Sequence, residues 1–251
     1  MGTLRALLGS LLCLACSSVW ASGALVIGVE NQEYLPLYTY EKGSYKGFAR
    51  ELFDAFAHDR GYTVEYRALP VPRLYAAFLD GQLDFKFPDN PNWKREQRSG
   101  KSIVYSDPVV SVIDGVSVMP EKKALGVDEI RVIGTMAGFT PWAWIDRVKA
   151  GKVNVSENGS FEALVRQTLA GRIDGAYASI AVVNYQLDHV FNKPGALVFN
   201  QTLPYSRDSY QLSTVRHPEI VREFNAWMKQ NRAMIETLKK RHGVEKGVTP
   251  E

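Results

Sequence analysis

Hydrophobic residues follow two different spacings along this chain, and the two spacings alternate. Continuous apolar runs of strand length occur at residues 24–29 and 109–119, as expected for strands buried on both faces. Between such runs, apolar residues recur every three or four positions, as they do on one face of a helix. Strands that alternate with amphipathic helices predict an α/β fold.

The first part of the chain contains two helix patterns that each end at a glycine. Residues 47–60 place three apolar side chains on one face and stop at Gly61; these side chains are Phe48, Leu52 and Phe56. A strand is predicted at residues 62–69. Pro70 and Pro72 then favour a break, so the second helix is predicted at residues 73–80, and residues 30–40 are predicted to be a loop.

The middle of the chain repeats this alternation. Within the apolar run 109–119, the pair Asp114-Gly115 is predicted to interrupt the strand and to serve as a hinge or crossover. Ser160 is the expected N-cap of a helix that ends at Gly171. The accompanying strands are predicted at residues 131–135, 152–156 and 173–178.

The last part of the chain is predicted to end in a helix. A strand at residues 196–200 precedes a polar loop at 202–209 and a further strand at 210–215. Pro218 opens one long helix with a stripe of apolar side chains, which is typical of core packing. Residues 243–251 are expected to form a frayed tail.

A short internal echo suggests two similar units. Gly81-Gln82-Leu83-Asp84 recurs as Gly171-Arg172-Ile173-Asp174, and each copy follows a predicted strand and helix. Two units built alike predict two α/β lobes.

Composition and charge exclude some classes of function. The chain has 251 residues, of which 45% are hydrophobic and 23% charged, as in an ordinary globular protein. The formal net charge of +3 is small and dispersed, which argues against nucleic-acid binding.

The N-terminus has the pattern of a secretory signal. A positive charge at Arg5 precedes an apolar stretch that is too short to span a bilayer, and small residues favour cleavage after Ala21. Both cysteines, Cys13 and Cys16, lie inside this segment, so the exported chain is expected to have no disulfide or thiol. Lipidation at Cys16 and a structural N-terminal helix are the alternatives.

Candidate binding residues concentrate after the strand predicted at residues 83–87. In an open α/β sheet, ligands bind beyond the carboxyl ends of the strands. The segment after this strand is rich in turns and cations, and its candidate ligand-binding residues are Asp89, Asn90, Trp93, Arg95 and Arg98. A solvated surface turn is the alternative interpretation.

Further candidates lie at other predicted strand ends. Arg73 follows Pro72 at a strand-to-helix junction, where it could hold a carboxylate or pair with a neighbouring acid. Of Trp142 and Trp144, one is expected to line a cleft and the other to be core. Tyr34 is expected in the cleft, whereas the segment with Tyr205, Arg207 and Asp208 could touch either a hinge or the ligand.

No enzyme class is indicated by a motif. The four histidines are scattered, and the sequence contains neither an HExxH metal motif nor a GxSxG nucleophile elbow. Paired carboxylates stay possible, but no particular pair is indicated. No cofactor or metal is therefore expected.

Five segments together resemble a known family. They are, in order, LVIGVENQEYLPLYTYEKGSYKGFARELFDAFAHDRGY, GQLDF, YSDPVV, VIGTMAGFT and GRIDGAYAS. They resemble the bacterial extracellular solute-binding proteins of family 3, the polar amino-acid type, over nearly the whole exported chain. The resemblance implies the type 2 periplasmic-binding-protein fold, in which two crossover strands join two α/β lobes around one ligand. It also implies delivery to an ABC permease.

The resemblance carries the family's amino-acid site over only in part. An aspartate that precedes a cleft aromatic falls on Asn31, while the aromatic is retained as Tyr34. The glycine turn and its threonine fall on Gly138 and Thr140. The arginine for the ligand carboxylate has two candidates, Arg95 and Arg98, and the aspartate for the α-ammonium falls on Ser179.

These observations give a set of expectations. Residues 1–21 form the signal peptide, 22–113 the first part of lobe 1, 114–205 lobe 2, and 206–251 the return to lobe 1 with the C-terminal helix. The protein is expected to be a periplasmic monomer that closes over a small polar or anionic solute. Ordinary α-amino acids are expected to bind weakly or not at all. A sensory or accessory subunit without a permease is the alternative; a secreted enzyme on the same scaffold is a third.

Overall fold

Strands and helices alternate through residues 24–248, the part of the chain that the computed structural model describes. The predictions on the signal peptide, on the cleavage after Ala21 and on Cys13 and Cys16 fall outside these residues. Within them, no helix combines the length and the apolar character that a membrane span requires.

Residues 24–105 contain seven strands and two helices. In chain order they are β1 (Leu25–Glu30), β2 (Glu33–Tyr34), β3 (Tyr38–Glu41), β4 (Ser44–Lys46), α1 (Phe48–Arg60), β5 (Val64–Leu69), α2 (Val71–Leu79), β6 (Phe85–Asp89) and β7 (Val104–Tyr105). A short 3₁₀-helix, Arg95–Arg98, lies between β6 and β7.

Residues 106–248 continue the alternation of strands and helices. Their elements are β8 (Val110–Val118), β9 (Val132–Met136), α3 (Ile145–Lys149), β10 (Asn154–Asn158), α4 (Phe161–Leu169), β11 (Gly175–Ser179), α5 (Ile180–Tyr185), β12 (Val198–Phe199), β13 (Ser206–Thr214), α6 (Pro218–Gln230) and α7 (Arg232–His242). A π-helical segment, Gln186–Val190, extends α5, and short 3₁₀-helices cover Pro120–Lys122 and Trp142–Trp144.

The fold has two halves, and each half is built around a unit of three parallel strands. In the first half β1 pairs with β5 and β6, and in the second half β9 pairs with β10 and β11, all in parallel. The strand order β10-β9-β11-β8-β13-β6-β1-β5 is continuous because β13 serves both halves. Its first residues, Ser206 to Tyr210, pair with β8, while Gln211 and Ser213 pair with β6. The predicted α/β class is therefore confirmed.

Local sequence explains the helices that were predicted well. The apolar face of α1 is buried through Phe48, Leu52 and Phe56, and Gly61 follows with a left-handed φ of 73°. In α4, the Ser160 side chain accepts a hydrogen bond from the Ala163 backbone N–H at 3.1 Å, as a helix N-cap does.

Some predictions were wrong where a proline sets the start of a helix or where strand pairing creates a strand. Residues 30–40 are not a loop, because β2, β3 and β4 form a small antiparallel sheet there. Helix α2 starts at Val71 rather than Arg73, since a proline in the first turn of a helix loses no hydrogen bond.

The end of the chain also differs from the prediction. Strand β13 begins at Ser206, inside the predicted polar loop, and the final helix breaks at Asn231 into α6 and α7. The tail is packed over its described part, because Val244 is buried and Glu245 accepts a hydrogen bond from the Ser111 N–H at 2.8 Å.

Asp114 and Gly115 do not interrupt β8, which is a continuous strand of nine residues. Asp114 is opposite Ser206 of β13 on one side and Ser179 of β11 on the other. A Cβ on Gly115 would come within 2.4 Å of the Phe199 ring, so the glycine is required by close packing rather than by a turn. The hinge at this pair stays a prediction.

Candidate functional site

A cleft lies between the two halves, at the carboxyl ends of their parallel strands. Glu30 ends β1, Pro88 lies near the end of β6, and Ala178 lies near the end of β11. The cleft contains about 580 Å³ of empty space, part of it open to solvent. Its lining comes from both halves, and half of the lining residues are aromatic: Glu30, Tyr34, Tyr38, Val71, Tyr75, Pro88, Trp93, Lys94, Asp114, Gly138, Phe139, Thr140, Trp142, Tyr177, Ala178 and Tyr210.

Asp89 lies beneath this cleft in a buried network of charges. Its carboxylate is inaccessible to solvent and accepts hydrogen bonds from Arg98 at 2.5 Å, from Lys86 at 3.2 Å and from the Ser213 hydroxyl at 2.5 Å. Burial alone would raise the pKa of Asp89, but Lys86 and Arg98 outweigh it and hold that pKa below its usual value. Asp89 and Arg98 therefore satisfy each other rather than facing the cleft.

Lys86 and Glu30 complete this network. The Lys86 ammonium donates to the Pro88 carbonyl at 2.5 Å and lies 4.4 Å from the centroid of the Tyr75 ring. The Tyr38 hydroxyl donates a hydrogen bond to Glu30. Burial raises the pKa of Glu30 and lowers that of Lys86, and the attraction between the two charges opposes both shifts.

Tyr34 connects the two halves across the cleft. Its hydroxyl accepts a hydrogen bond from the Ser179 backbone N–H at 3.3 Å and lies 3.5 Å from the Tyr210 hydroxyl. Its ring packs edge-on against Phe139 and Phe161, with centroids 5.6 and 5.7 Å away. These contacts hold the halves close together.

Asp114 is the acidic side chain of the cleft that has an unused oxygen. Its Oδ1 is buried and has no hydrogen-bond partner within residues 24–248. Burial, with a smaller contribution from the charge of Asp208, raises the pKa of Asp114 from 3.8 to about 7. A donor or a cation that entered the cleft would remove this energetic cost.

Five of the twelve predicted ligand-binding residues line the cleft, namely Tyr34, Trp93, Gly138, Thr140 and Trp142. Trp144 is the core member of the tryptophan pair: it is buried, and its Nε1 donates to the Pro204 carbonyl at 2.9 Å. The predicted division between a cleft tryptophan and a core tryptophan thus matches their placement.

The other seven predicted residues lie elsewhere. Asn31, Arg73 and Arg95 are exposed and away from the lining. Asp89 and Arg98 pair with each other, the Asn90 side chain donates to the Ser209 carbonyl at 2.9 Å, and Ser179 is buried behind Tyr34. The side chains of Asn31, Arg73 and Arg95 thus meet solvent, and those of Asp89, Asn90 and Arg98 have partners within the protein.

The segment with Tyr205, Arg207 and Asp208 lies outside the lining as well. The Tyr205 ring packs 5.3 Å from that of Phe199, and the Arg207 guanidinium lies 5.8 Å from the Tyr205 ring. Asp208 accepts a hydrogen bond from the Asn92 side chain at 3.2 Å.

None of the other lining residues was among the residues predicted to bind the ligand. They are Glu30, Tyr38, Val71, Tyr75, Pro88, Lys94, Asp114, Phe139, Tyr177, Ala178 and Tyr210. Glu30, Pro88 and Ala178 were detectable, because each lies at or next to the end of a predicted strand. Asp114 was predicted only to interrupt a strand, as part of a hinge or crossover. Nothing in its position along the sequence of β8 indicates that it lines a cleft.

The described residues 24–248 contain no cluster of three or more histidine, cysteine, aspartate or glutamate side chains suited to a metal ion. The cleft instead offers two carboxylates, one lysine and an aromatic wall. Such a lining is suited to enclosing a small molecule that carries at least one polar group.

A comparison with family models places a match over almost all of the described chain. Residues 25–243 match the model described as bacterial extracellular solute-binding proteins, family 3. None of the curated proteins compared with this sequence matches it.

Solved structures share the fold at low sequence identity. The arginine-, lysine-, histidine-binding protein ArtJ from Geobacillus stearothermophilus is 19% identical with a TM-score of 0.69, over 91% of this chain and 97% of that one. An ancestral arginine-binding protein bound to arginine is 17% identical with a TM-score of 0.70, over 88% and 98%. A histidine kinase sensor domain with similarity to periplasmic binding proteins is 16% identical with a TM-score of 0.70, over 87% and 95%.

Proposed function

This chain belongs to the bacterial extracellular solute-binding proteins of family 3 and has their two-lobe fold, and on that premise we propose that it captures a small polar solute for an ABC transporter. Closure of the two halves around the solute, and its handover to an inner-membrane permease, complete the proposed role. The expected site of action is the periplasm, after removal of residues 1–21.

The observation that supports this proposal is a cleft lined from both halves. Tyr34, Tyr75 and Trp93 come from the first half, whereas Phe139, Thr140 and Trp142 come from the second. A solute that contacts both sets favours the closed arrangement over an open one, which is the change that a partner protein can recognise.

The geometry changes the sequence-based expectation about the solute. A polar or anionic solute was expected, and the anionic choice depended on Arg73, Arg95 and Arg98 being available to hold it. Arg98 is instead paired with Asp89, and Arg73 and Arg95 are exposed and do not belong to the lining. The proposed solute is therefore polar without being an anion.

A binding role is preferred to an enzymatic one. The family that matches consists of solute-binding proteins, and the two amino-acid-binding neighbours reported above are binding proteins by description.

A thermal-shift screen of the purified protein against a metabolite library tests the proposal. A solute at 100 times its dissociation constant stabilises the fold by about 2.7 kcal/mol, which is a readily measured rise in melting temperature. Deletion of the gene should then abolish uptake of that solute by the cell. A protein that no small solute stabilises would contradict the proposal.

The second candidate function is that of a sensory subunit, and the similarity to a histidine kinase sensor domain favours it. In that case the solute still stabilises the fold, but deletion of the gene leaves uptake unchanged. A changed transcriptional response to the solute would then replace the loss of transport.

A further inference from the structure

We infer that the solute is a protonated amine without a carboxylate, and that its N–H group donates a hydrogen bond to Asp114 among the aromatic rings of the cleft. This inference rests on the proposed function, because it names the class of solute that the same cleft takes. Three features support it: an unpartnered carboxylate oxygen, the balance of charge, and the aromatic rings near that carboxylate.

The first feature is the Asp114 carboxylate. Its Oδ1 is buried in the cleft with no donor within the described residues. A buried carboxylate oxygen that accepts no hydrogen bond destabilises the protein. A protonated amine supplies both missing parts, since it donates a hydrogen bond and carries the opposite charge.

The second feature is the charge that surrounds the cleft. The deep network contains two bases, Lys86 and Arg98, and two acids, Asp89 and Glu30, which interact with one another. Asp114 stands outside this balanced group, and the charge of Asp208 adds to its own rather than neutralising it. The region around Asp114 therefore favours a cation over an anion.

The third feature is the arrangement of aromatic rings. Tyr75 and Trp93 already face the Lys86 ammonium, at 4.4 and 5.5 Å from their centroids. Burial raises the pKa of the Tyr34, Tyr177 and Tyr210 hydroxyls, and the nearby charge of Asp114 adds to each increase. A cation bound to Asp114 would thus lie among three tyrosines, where attraction to the ring faces adds to the ion pair.

A carboxylate on the same solute has no suitable partner. Arg98 is paired with Asp89, and among the described lining residues the base is Lys94, which is partly exposed and lies 5.5 Å from the Tyr75 ring centroid. Two lining acids, Glu30 and Asp114, would repel an anion. The cleft therefore favours an amine over the corresponding amino acid.

Calorimetry with matched sets of compounds tests this inference. Each set contains an amine, the amino acid that carries the same side chain, and the alcohol with the amine replaced by a hydroxyl. One set is phenethylamine, phenylalanine and 2-phenylethanol. The others are cadaverine, lysine and 5-aminopentanol, and agmatine, arginine and 4-guanidinobutanol. In at least one set, the amine should bind about tenfold or more tightly than its amino acid and its alcohol.

A variant pair isolates the role of Asp114. Asp114→Asn keeps the shape of the side chain and removes its charge, so the best amine should lose about tenfold or more in affinity. Asp80→Asn removes the same charge from an exposed position after α2 and should change affinity by less than about twofold. Circular dichroism confirms that both variants fold before binding is measured.

Several results would overturn the inference. An amino acid that binds more tightly than its amine would exclude a carboxylate-free solute. An alcohol that binds as well as its amine, together with full binding by Asp114→Asn, would show that Asp114 acts as a protonated donor to a neutral solute. If the library contains a stabilising solute but no amine binds, the inference fails and the proposed function stands. If nothing in the library binds, the proposed function fails too.

Discussion

At the scale of single residues, the chemistry of this molecule depends on which charges are paired. Asp89 is entirely buried and accepts hydrogen bonds from three side chains, whereas Asp114 lines the cleft with one oxygen unused. The pKa of Asp89 is lowered by its cations, and the pKa of Asp114 is raised to about 7 by burial. One aspartate therefore stabilises the fold while the other stays available for a ligand.

The raised pKa of Asp114 predicts how the effect of Asp114→Asn on stability depends on pH. Because the folded state keeps this proton where the unfolded state has lost it, stability should fall as pH rises from about 4 to about 7. Asp114→Asn has no such charge to bury. Its gain in melting temperature over the wild type should therefore be larger at about pH 8 than at about pH 5.

Thermal melts across this pH range measure the effect. Asp80→Asn serves as the control, since its side chain is exposed and carries the same formal charge. A gain for Asp114→Asn that is equal at both ends of the range, or that is larger in acid, would contradict the assignment of a costly buried charge.

The pairing of Arg98 with Asp89 predicts a large loss of stability on substitution. Arg98→Gln leaves a buried carboxylate with less compensation, and the free energy of unfolding should fall by about 3 kcal/mol or more. Arg95→Gln, three residues earlier on an exposed position, should change it by less than about 0.5 kcal/mol. Urea denaturation provides both values.

A double-mutant cycle checks that the loss comes from this pair. If Asp89 is the reason, then Arg98→Gln should cost less in an Asp89→Asn background than in the wild type. Additive losses would show that Arg98 stabilises the protein through its packing against Tyr75 and Tyr105 instead.

At the scale of elements, caps and glycines decide where helices begin and end. Ser160 caps α4 through the Ala163 N–H, and Gly61 closes α1 in a left-handed conformation. Gly115 has a different role, because it lets β8 pass close to Phe199. Glycine thus marks a helix end in one element and close packing in another.

The cap of α4 gives a prediction at this scale. Ser160→Ala leaves the first turn of the helix with an unsatisfied N–H and should lower the free energy of unfolding by about 1 kcal/mol. Ser160→Asp keeps an acceptor at the same place and should lose little. Equal losses for the two variants, measured in urea, would show that the hydroxyl does not act as a cap.

At the scale of the whole molecule, the two halves are held together by a shared strand and by contacts across the cleft. Strand β13 pairs with β8 of one half and β6 of the other. Tyr34 reaches from the first half to Phe139, Phe161 and the Ser179 N–H of the second. One apolar core consequently includes residues of both halves.

The contact made by Tyr34 predicts how the halves respond to its loss. Tyr34→Phe keeps the ring but leaves the buried Ser179 N–H without its acceptor, at a cost of about 1–3 kcal/mol. The halves should separate more readily, so small-angle scattering should show a larger radius of gyration in the absence of solute. Tyr40→Phe, on a half-buried side chain outside the cleft lining, is the control. Scattering curves that coincide for Tyr34→Phe and the wild type would contradict this role.

The sequence by itself determined the class of fold and much of its order of elements. Amphipathic spacing located α1 and α4, and apolar runs located β1 and β8, because burial of one helix face or of a whole strand leaves a direct pattern in the chain. It also located five cleft residues: Tyr34, Trp93 and Trp142 follow predicted strands, where α/β folds bind ligands, and Gly138 and Thr140 came from the family resemblance.

Tertiary structure alone decided which charged side chains are free to meet a ligand. Arg98 looked available from sequence. In the fold, its guanidinium donates a hydrogen bond at 2.5 Å to the carboxylate of Asp89, nine positions earlier, and is not free to bind a ligand. Asp114 looked like a break in a strand, but β8 continues through it, paired with β11 and β13, and its carboxyl lies in the cleft. The strand pairing joins residues distant in sequence, and the Arg98–Asp89 pair depends on how the segment between these two residues folds back, so no local pattern records either.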